Sequence, residues 1–131
     1  DKNVIYDWVE SGIIDYYPET DDVISFIKQS TCIVLPSYRE GTSRVLLEAA
    51  SIGRPIITTN VTGCREIVND GSNGYLCKVK DSKDLSKMME KYLCLTHDQR
   101  LLMAQKGRIK MEKEFNQNLV FDLYLQSIQE L

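Results

Sequence analysis

Four short strand patterns, each separated from the next by a helical pattern, constrain the fold of this chain more than any other feature. The strand patterns cover residues 13–17, 32–35, 55–59 and 74–79, and proline, glycine or polar residues bound them. Residues 32–35 are apolar at every position, which is typical of a parallel strand covered on both faces. The βαβαβαβ order therefore predicts an α/β fold with a parallel, doubly wound sheet and right-handed crossovers.

Helical patterns fill the intervals between these strands and continue beyond the last one. Glycine follows two of them, at Gly12 and Gly53, as expected at a helix end. Thr96 and Gln99 have the spacing of a capping box, which predicts a helix start. The predicted helices cover 4–11, the residues from the cap Thr20-Asp21-Asp22 to about Gln29, 43–52, 65–69, 82–93, a segment after Thr96 and a last segment from about Asn116.

Length and composition indicate one globular domain. The chain has 131 residues, of which 43% are hydrophobic and 27% are charged, and its formal net charge is −3. This charge argues against a nucleic-acid partner, which needs clustered Lys and Arg. No apolar run approaches the length of a membrane span. Because the sequence opens abruptly, we expect it to be a piece of a longer protein, and the absence of a signal peptide therefore carries little weight.

Metal and thiol chemistry have little support in the sequence. The acidic pair Asp21-Asp22 follows Thr20 and is better explained as a helix cap than as a metal site. His97, the single histidine, falls at a helix start, where a surface position is the simpler interpretation. We expect reduced thiols in a cytoplasmic protein rather than a disulfide framework. Metal-ligand spacing such as C-x-x-C is absent from the four cysteines, Cys32, Cys64, Cys77 and Cys94.

Two glutamates, Glu40 and Glu48, are the strongest functional candidates. Glu40 stands in the loop after the strand pattern 32–35, and Glu48 falls in a helix whose other faces are nearly all apolar. A carboxylate is costly to desolvate, so Glu48 needs a partner or a cavity. Between the two, the helix start offers backbone N–H groups that have no partner within the helix. Two carboxylates and free N–H groups together would suit a sugar nucleotide.

The sequence around these glutamates resembles the C-terminal domain of group-one retaining glycosyltransferases with the GT-B fold. Residues 34–49 match the family's two-glutamate motif, and the family's later elements follow in order at 53–59, 63–68 and 70–76. Because several ordered motifs coincide over roughly residues 22–125, the resemblance does not depend on one of them. The sequence variants in these motifs look most like the branch that extends polyprenyl-diphosphate-linked glycans with N-acetylhexosamines or galactose.

The resemblance implies that residues 1–131 form the C-terminal nucleotide-sugar-binding domain, a Rossmann-like parallel sheet flanked by helices. The N-terminal acceptor domain, and the upstream Arg and Lys that hold the donor diphosphate in the family, would lie outside this chain, so we expect the chain alone to be inactive. By resemblance, Glu40 is the catalytic residue and contacts the transferred sugar near its reacting carbon. The residues that the resemblance implies in donor binding are Glu48, which would accept hydrogen bonds from the ribose hydroxyls, and Gly41, Thr42, Ser43, Arg44 and Val45.

Several of these residues also have purely structural explanations. Glu48 could be paired with a backbone amide or a basic residue, and Glu40 could be an exposed loop residue. Thr42 or Ser43 could be the N-cap of the helix. Arg44 could offset diphosphate charge or could lie on the surface.

The turn near Gly63 is a weaker candidate. Arg65 and Glu66 are better explained by a local ion pair or a helix-start contact than by a catalytic pair. In relatives the turn at Gly63 faces the ligand cleft, so contact with the acceptor stays open.

For the parent protein, the resemblance implies retaining transfer of a hexose or N-acetylhexosamine from a nucleoside-diphosphate sugar, expected to be UDP-linked. The acceptor would be a glycan or a polyprenyl-diphosphate-linked glycan of bacterial surface-polysaccharide biosynthesis, bound through the missing domain. No cofactor and no metal ion are expected. The protein is expected in the cytoplasm, with peripheral contact at the inner face of the membrane. Two rival functions stay open: a GT-B nucleotide-sugar epimerase, and a non-catalytic domain that binds nucleotide or serves as a scaffold.

Overall fold

A parallel sheet flanked by helices forms the centre of the protein in the computed structural model, which describes residues 2–117. The described strands are β1 (Ile33–Leu35), β2 (Ile56–Thr59) and β3 (Gly74–Cys77), in the sheet order β1-β2-β3 with every pairing parallel. The described helices are α1 (Lys2–Glu10), α2 (Val23–Gln29), α3 (Arg44–Ile52), α4 (Thr62–Arg65), α5 (Ser82–Leu93) and α6 (His97–Glu114).

Helices cover the central strand β2 on both faces, but the edge strand β1, for which the apolar run predicted the same cover, leaves Val34 exposed. The central strand β2 is buried at all four positions, and its first two residues, Ile56 and Ile57, belong to two separate hydrophobic clusters. Since successive strand side chains point to opposite faces, the two clusters lie on opposite sides of the sheet. Helix α5 packs on β2 and β3, and α3 packs against α2 and α6. The predicted α/β class is confirmed.

Most helix ends follow the capping signals. The Asp22 carboxylate accepts a hydrogen bond from the Ser25 N–H at 3.2 Å, and Thr96 and Gln99 form both halves of a capping box. Gly53 ends α3 in the left-handed conformation with φ 79°. These ends were predictable because every partner lies within four residues of the cap.

The predicted strand at 13–17 is wrong: no strand forms there, and the described sheet has three strands instead of four. A strand needs a neighbour to pair its N–H and C=O groups. In this segment the Ile13 N–H donates instead to the carbonyl of Trp8 at 2.9 Å, closing the end of α1. The side chains of Tyr16 and Tyr17 are exposed.

The short helix predicted at 65–69 is also misplaced, because α4 covers Thr62–Arg65. Its N-cap is Val61, whose side chain cannot cap, so the sequence carries no start signal there. The predicted strands 32–35, 55–59 and 74–79 are each one or two residues longer than β1, β2 and β3.

Other expectations can be checked only in part. The helix predicted from about Asn116 lies almost wholly outside the described residues. All four cysteines are free, and Cys94 is exposed. Across residues 2–117, no helix combines the length and the apolar character needed to cross a membrane. The same residues contain no cluster of three or more His, Cys, Asp or Glu side chains that could hold a metal ion.

Candidate functional site

A cleft of about 550 Å³ opens at the edge of the sheet where β1 and β2 end. Because the strands are parallel, the loops that follow them meet at this edge, which is where ligands bind in open α/β sheets. The lining residues come from the loop after β1 and from the start and end of α4: Tyr38, Arg39, Glu40, Gly41, Asn60, Val61, Thr62 and Arg65.

Two threonines at the end of β2 hold the loop that follows β1. The Thr58 hydroxyl donates to the carbonyl of Leu35 at 2.7 Å, and the Thr59 hydroxyl donates to the carbonyl of Ser37. Both threonine side chains are buried, so these hydrogen bonds form away from bulk water. The β1 loop is therefore fixed to the central strand of the sheet.

Within this loop, Ser37 contacts Glu40. The Ser37 hydroxyl lies 3.0 Å from Oε2 of Glu40 and 2.9 Å from the carbonyl oxygen of Arg39. A hydroxyl has one hydrogen, so it donates to one of these acceptors at a time. Glu40 is half-buried and lines the cleft. The alternative that Glu40 is merely an exposed loop residue does not describe its surroundings.

Helix α4 packs directly against the loop at Gly63. A Cβ at this position would overlap the carbonyl of Gly41 and lie 2.5 Å from the carbonyl oxygen of Glu40. Only glycine permits this approach, which explains why a poor helix former stands inside α4. Gly63 thus lets α4 pack directly against the backbone of Glu40 and Gly41.

Burial keeps the neighbouring Cys64 uncharged. Burial raises the pKa of the Cys64 thiol, and the nearby Glu40 carboxylate raises that pKa further, while a hydrogen bond with Thr58 lowers it. The side chain is fully buried in the core cluster. Cys64 is therefore a packing residue beside the cleft and not a nucleophile.

The start of α3 leaves its first N–H groups without a capping side chain. Ser43 has the extended N-cap conformation and is buried, but its hydroxyl makes no capping hydrogen bond. Thr42 is exposed, and Val45 packs its side chain against the core. The N-cap position of Ser43 agrees with the structural alternative, while the uncapped N–H groups stay available to a ligand.

Glu48 and Arg44 form an ion pair along α3. Nε of Arg44 lies 2.9 Å from Oε1 of Glu48, and the side chains are 90% and 25% exposed, respectively. The structural alternatives therefore hold in this state: Arg44 is a surface residue, and Glu48 is paired with a base. An exposed i,i+4 pair contributes little to stability, so a ligand could replace it at small cost.

The sequence-predicted residues thus fall into two groups. Glu40 and Gly41 line the cleft together, and Thr42, Ser43 and Arg44 lead from it into α3. Glu48 does not line the cleft; it lies one turn farther along the helix, about 6 Å beyond Arg44.

Residues that hold Glu40 escaped the sequence analysis. Ser37 contacts Glu40 from three residues away, and Thr59 holds Ser37 from 22 residues away, a contact that no local pattern reveals. The one available signal is that a threonine ends a buried strand beside the glutamate loop. Arg65 was expected in an ion pair or a helix-start contact; its Nη2 donates to the Thr62 hydroxyl at 3.2 Å, which is the helix-start contact.

Comparison with known proteins is consistent with this geometry. Residues 12–110, most of the chain, match the family model described as "Glycosyl transferases group 1". The chain belongs to this family. Among relatives of this group 1 chain, a Campylobacter jejuni N,N'-diacetylbacillosaminyl-diphospho-undecaprenol alpha-1,3-N-acetylgalactosaminyltransferase is 30% identical over 91% of the chain. The Staphylococcus aureus capsular polysaccharide biosynthesis glycosyltransferase CapM is 33% identical over 77% of it.

This group 1 chain spans about a third or less of those relatives, 31% of the first and 26% of the second. Solved structures establish the fold. The C-terminal domain of a glycosyl transferase group 1 protein (LpcC) from Francisella tularensis matches with a TM-score of 0.73 and 21% identity, covering 88% of this chain and 62% of that one. Anabaena HepE in complex with UDP matches with a TM-score of 0.85 and 18% identity, covering 99% and 36%. The predicted C-terminal GT-B fold is confirmed.

Proposed function

We propose that this chain is the donor-binding domain of a retaining glycosyltransferase whose N-terminal acceptor domain lies elsewhere in the parent protein. The observation that carries the proposal is the geometry around Glu40. Its carboxylate contacts Ser37, lines a cleft at the carboxyl edge of the sheet, and precedes an uncapped helix start. The family membership adds that such a domain acts on sugars.

In this proposal the donor, a UDP-linked hexose or N-acetylhexosamine, extends along the start of α3. Glu48 exchanges its Arg44 partner for the ribose hydroxyls, since a carboxylate accepts from two donors at once. The N–H groups near Ser43 and Val45 face the diphosphate, where the positive end of the helix dipole favours an anion. Glu40 accepts hydrogen bonds from the hydroxyls of the sugar.

The domain would accelerate transfer by orientation and by electrostatic stabilisation. A sugar held between Glu40 and the Gly41 loop is fixed relative to its acceptor, which removes part of the entropic cost of the reaction. N–H dipoles at the α3 start oppose the charge that develops on the leaving diphosphate. Neither step calls on a metal ion or cofactor, and donor stereochemistry would be retained as in the family.

The acceptor we propose is a glycan or a polyprenyl-diphosphate-linked glycan. The relative from Campylobacter jejuni, by its name, acts on such a diphospho-undecaprenol acceptor. Contact with the acceptor and with the inner face of the cytoplasmic membrane would come mainly from the rest of the parent protein. The parent protein itself would lie in the cytoplasm.

The rival epimerase has less support. Nucleotide-sugar epimerases of this fold need acid–base groups near the sugar, histidine among them. The single histidine, His97, is exposed at the start of α6 and does not line the cleft.

Calorimetric titration with UDP and several UDP-sugars tests the proposal. We expect weak, saturable binding, reduced about tenfold or more in Glu48→Ala because a charged hydrogen-bond acceptor is lost. Glu112→Ala is the matched control, since Glu112 forms the same i,i+4 ion pair with Arg108 at 3.1 Å on another helix. Equal UDP affinity in the chain and both variants would refute the ribose role. Absence of binding in the full-length parent as well would refute the donor-binding function.

A further inference from the structure

Two arginines from different elements line the cleft that contains Glu40. Arg39 stands in the loop after β1, and Arg65 ends α4. Among residues 2–117, the Arg39 side chain makes no hydrogen bond or ion pair, and the Arg65 guanidinium makes only its 3.2 Å contact with the Thr62 hydroxyl. Most of the donor capacity of both guanidinium groups is therefore unused.

Although the chain is acidic, no carboxylate of the described residues forms an ion pair with either arginine. The net charge is −3, and the ion pairs of the described residues all lie on α3 and α6, away from the cleft. In the cleft the one carboxylate is Glu40, and it contacts the Ser37 hydroxyl instead of an arginine. The charges of Arg39 and Arg65 are thus left to act on whatever enters the cleft.

Neighbouring groups add to the same preference. Nζ of Lys80 lies 5.3 Å from the ring centre of Tyr38, a residue that lines both the cleft and the neighbouring cavity to which Lys80 belongs. The uncapped start of α3 follows the Gly41 loop and presents N–H groups. Guanidinium groups bind phosphate oxygens through paired N–H donors, and N–H groups at a helix start favour the same anion.

We infer that Arg39 and Arg65 form a phosphate-binding pair in the cleft, which takes a phosphate or diphosphate group of a substrate. The inference rests on the proposed function, because it concerns the same cleft. Two substrates could supply the group: the donor, through its own diphosphate, or an acceptor that carries a phosphate or diphosphate.

Titration with inorganic pyrophosphate at low salt tests the pair directly. The wild-type chain should bind pyrophosphate saturably, Arg39→Ala and Arg65→Ala should each weaken binding about tenfold, and the double variant should weaken it further. Arg108→Ala, which removes an exposed arginine from α6, should bind as the wild type does. Both cleft positions are exposed, so the substitutions should leave the fold intact, and circular dichroism checks this. Equal affinity in the double variant and the wild type, or no pyrophosphate binding at all, would overturn the pair.

A second arm identifies the source of the phosphate. If the double variant also weakens UDP binding, the pair holds the donor diphosphate. If UDP binding is unchanged, the pair holds the acceptor, and the KM for a polyprenyl-diphosphate-linked acceptor should rise in the parent protein while the donor KM stays constant. Glu48→Ala separates the two hypotheses. If Glu48→Ala weakens UDP binding while the double arginine variant binds pyrophosphate as the wild type does, only the arginine pair is refuted. If pyrophosphate binding needs both arginines but the protein does not bind UDP, only the donor-binding function is refuted.

Discussion

The loop after β1 and the segment 13–20 differ sharply in the contacts that hold them to the rest of the protein. The loop after β1 is fixed by Thr58 and Thr59 on one side and by Gly63 on the other. The segment 13–20 has a similarly clear pattern in sequence, yet it forms no strand and exposes its tyrosines. Tyr17 has a ring contact with Phe26 of α2, yet the segment still forms no strand. The comparison teaches that a strand pattern becomes a strand only where a neighbouring strand pairs with its backbone.

The largest effect should come from removing the close approach at Gly63. We expect Gly63→Ala to lower the free energy of unfolding by about 3 kcal/mol, because the new methyl group would overlap backbone and force the loop away from α4. The control is Gly41→Ala, since a Cβ at Gly41 meets nothing within 4 Å. Chemical denaturation of both variants measures the difference. Equal stability of the two variants would refute the packing role of Gly63.

Thiol labelling reports on the same packed region. At pH 8 we expect Cys64 to react at least about a hundredfold more slowly than the exposed Cys94, because burial hides the thiol and raises its pKa. Cys32, whose pKa burial raises to about 11, should also react slowly. Mass spectrometry of alkylated peptides gives the rates.

The raised pKa of Cys64 also makes folding stability depend on pH. The contribution of the protonated thiol to the free energy of unfolding is fully present below the ordinary thiol pKa and is lost as pH rises above it.

Removing the Ser37 hydroxyl tests its contact with Glu40 separately from the folding of the loop. Ser37→Ala should reduce kcat of the parent protein roughly tenfold with little change in donor KM, because the hydroxyl contacts Glu40, the residue that would serve the sugar and not the nucleotide. Ser37→Thr should restore most of the activity. Ser51→Ala is the control, since the Ser51 hydroxyl donates only to the Leu47 carbonyl within α3. If Ser37→Ala lowers the free energy of unfolding but leaves kcat unchanged, the role of the Ser37 hydroxyl is purely structural.

Limited proteolysis should show the smallest, but most direct, contrast between the two segments. Tyr16 and Tyr38 are each 63% exposed, so chymotrypsin reaches both side chains equally well. Cleavage needs local unfolding, which the tethers of the β1 loop oppose. We expect the chain to be cut several-fold faster after Tyr16 than after Tyr38, and Gly63→Ala to reduce this ratio. Equal rates in the wild type would contradict the comparison.

What could be predicted from sequence follows the same division. The caps at Asp22 and Thr96 and the helix end at Gly53 were predictable because their partners are local. The parallel sheet was predictable from apolar strands that alternate with helices. The missing strand at 13–17 was not predictable, because pairing depends on a distant neighbour.

The candidate site divides similarly. Glu40 and Gly41 were found through their motif and do line the cleft. Their support by Thr59 and Gly63 was not predictable, because it joins residues more than twenty positions apart. The shared cleft of Arg39 and Arg65 is likewise visible only in three dimensions.

The substitution Glu40→Gln tests the central claim most directly, since it keeps the size of the side chain and removes its charge. In the parent protein we predict a loss of kcat of about a hundredfold, with UDP affinity unchanged within about twofold, because Glu40 would serve the sugar and not the nucleotide. Turnover assays and UDP titration on the same preparation measure both quantities. Undiminished kcat in a folded Glu40→Gln variant would contradict the account.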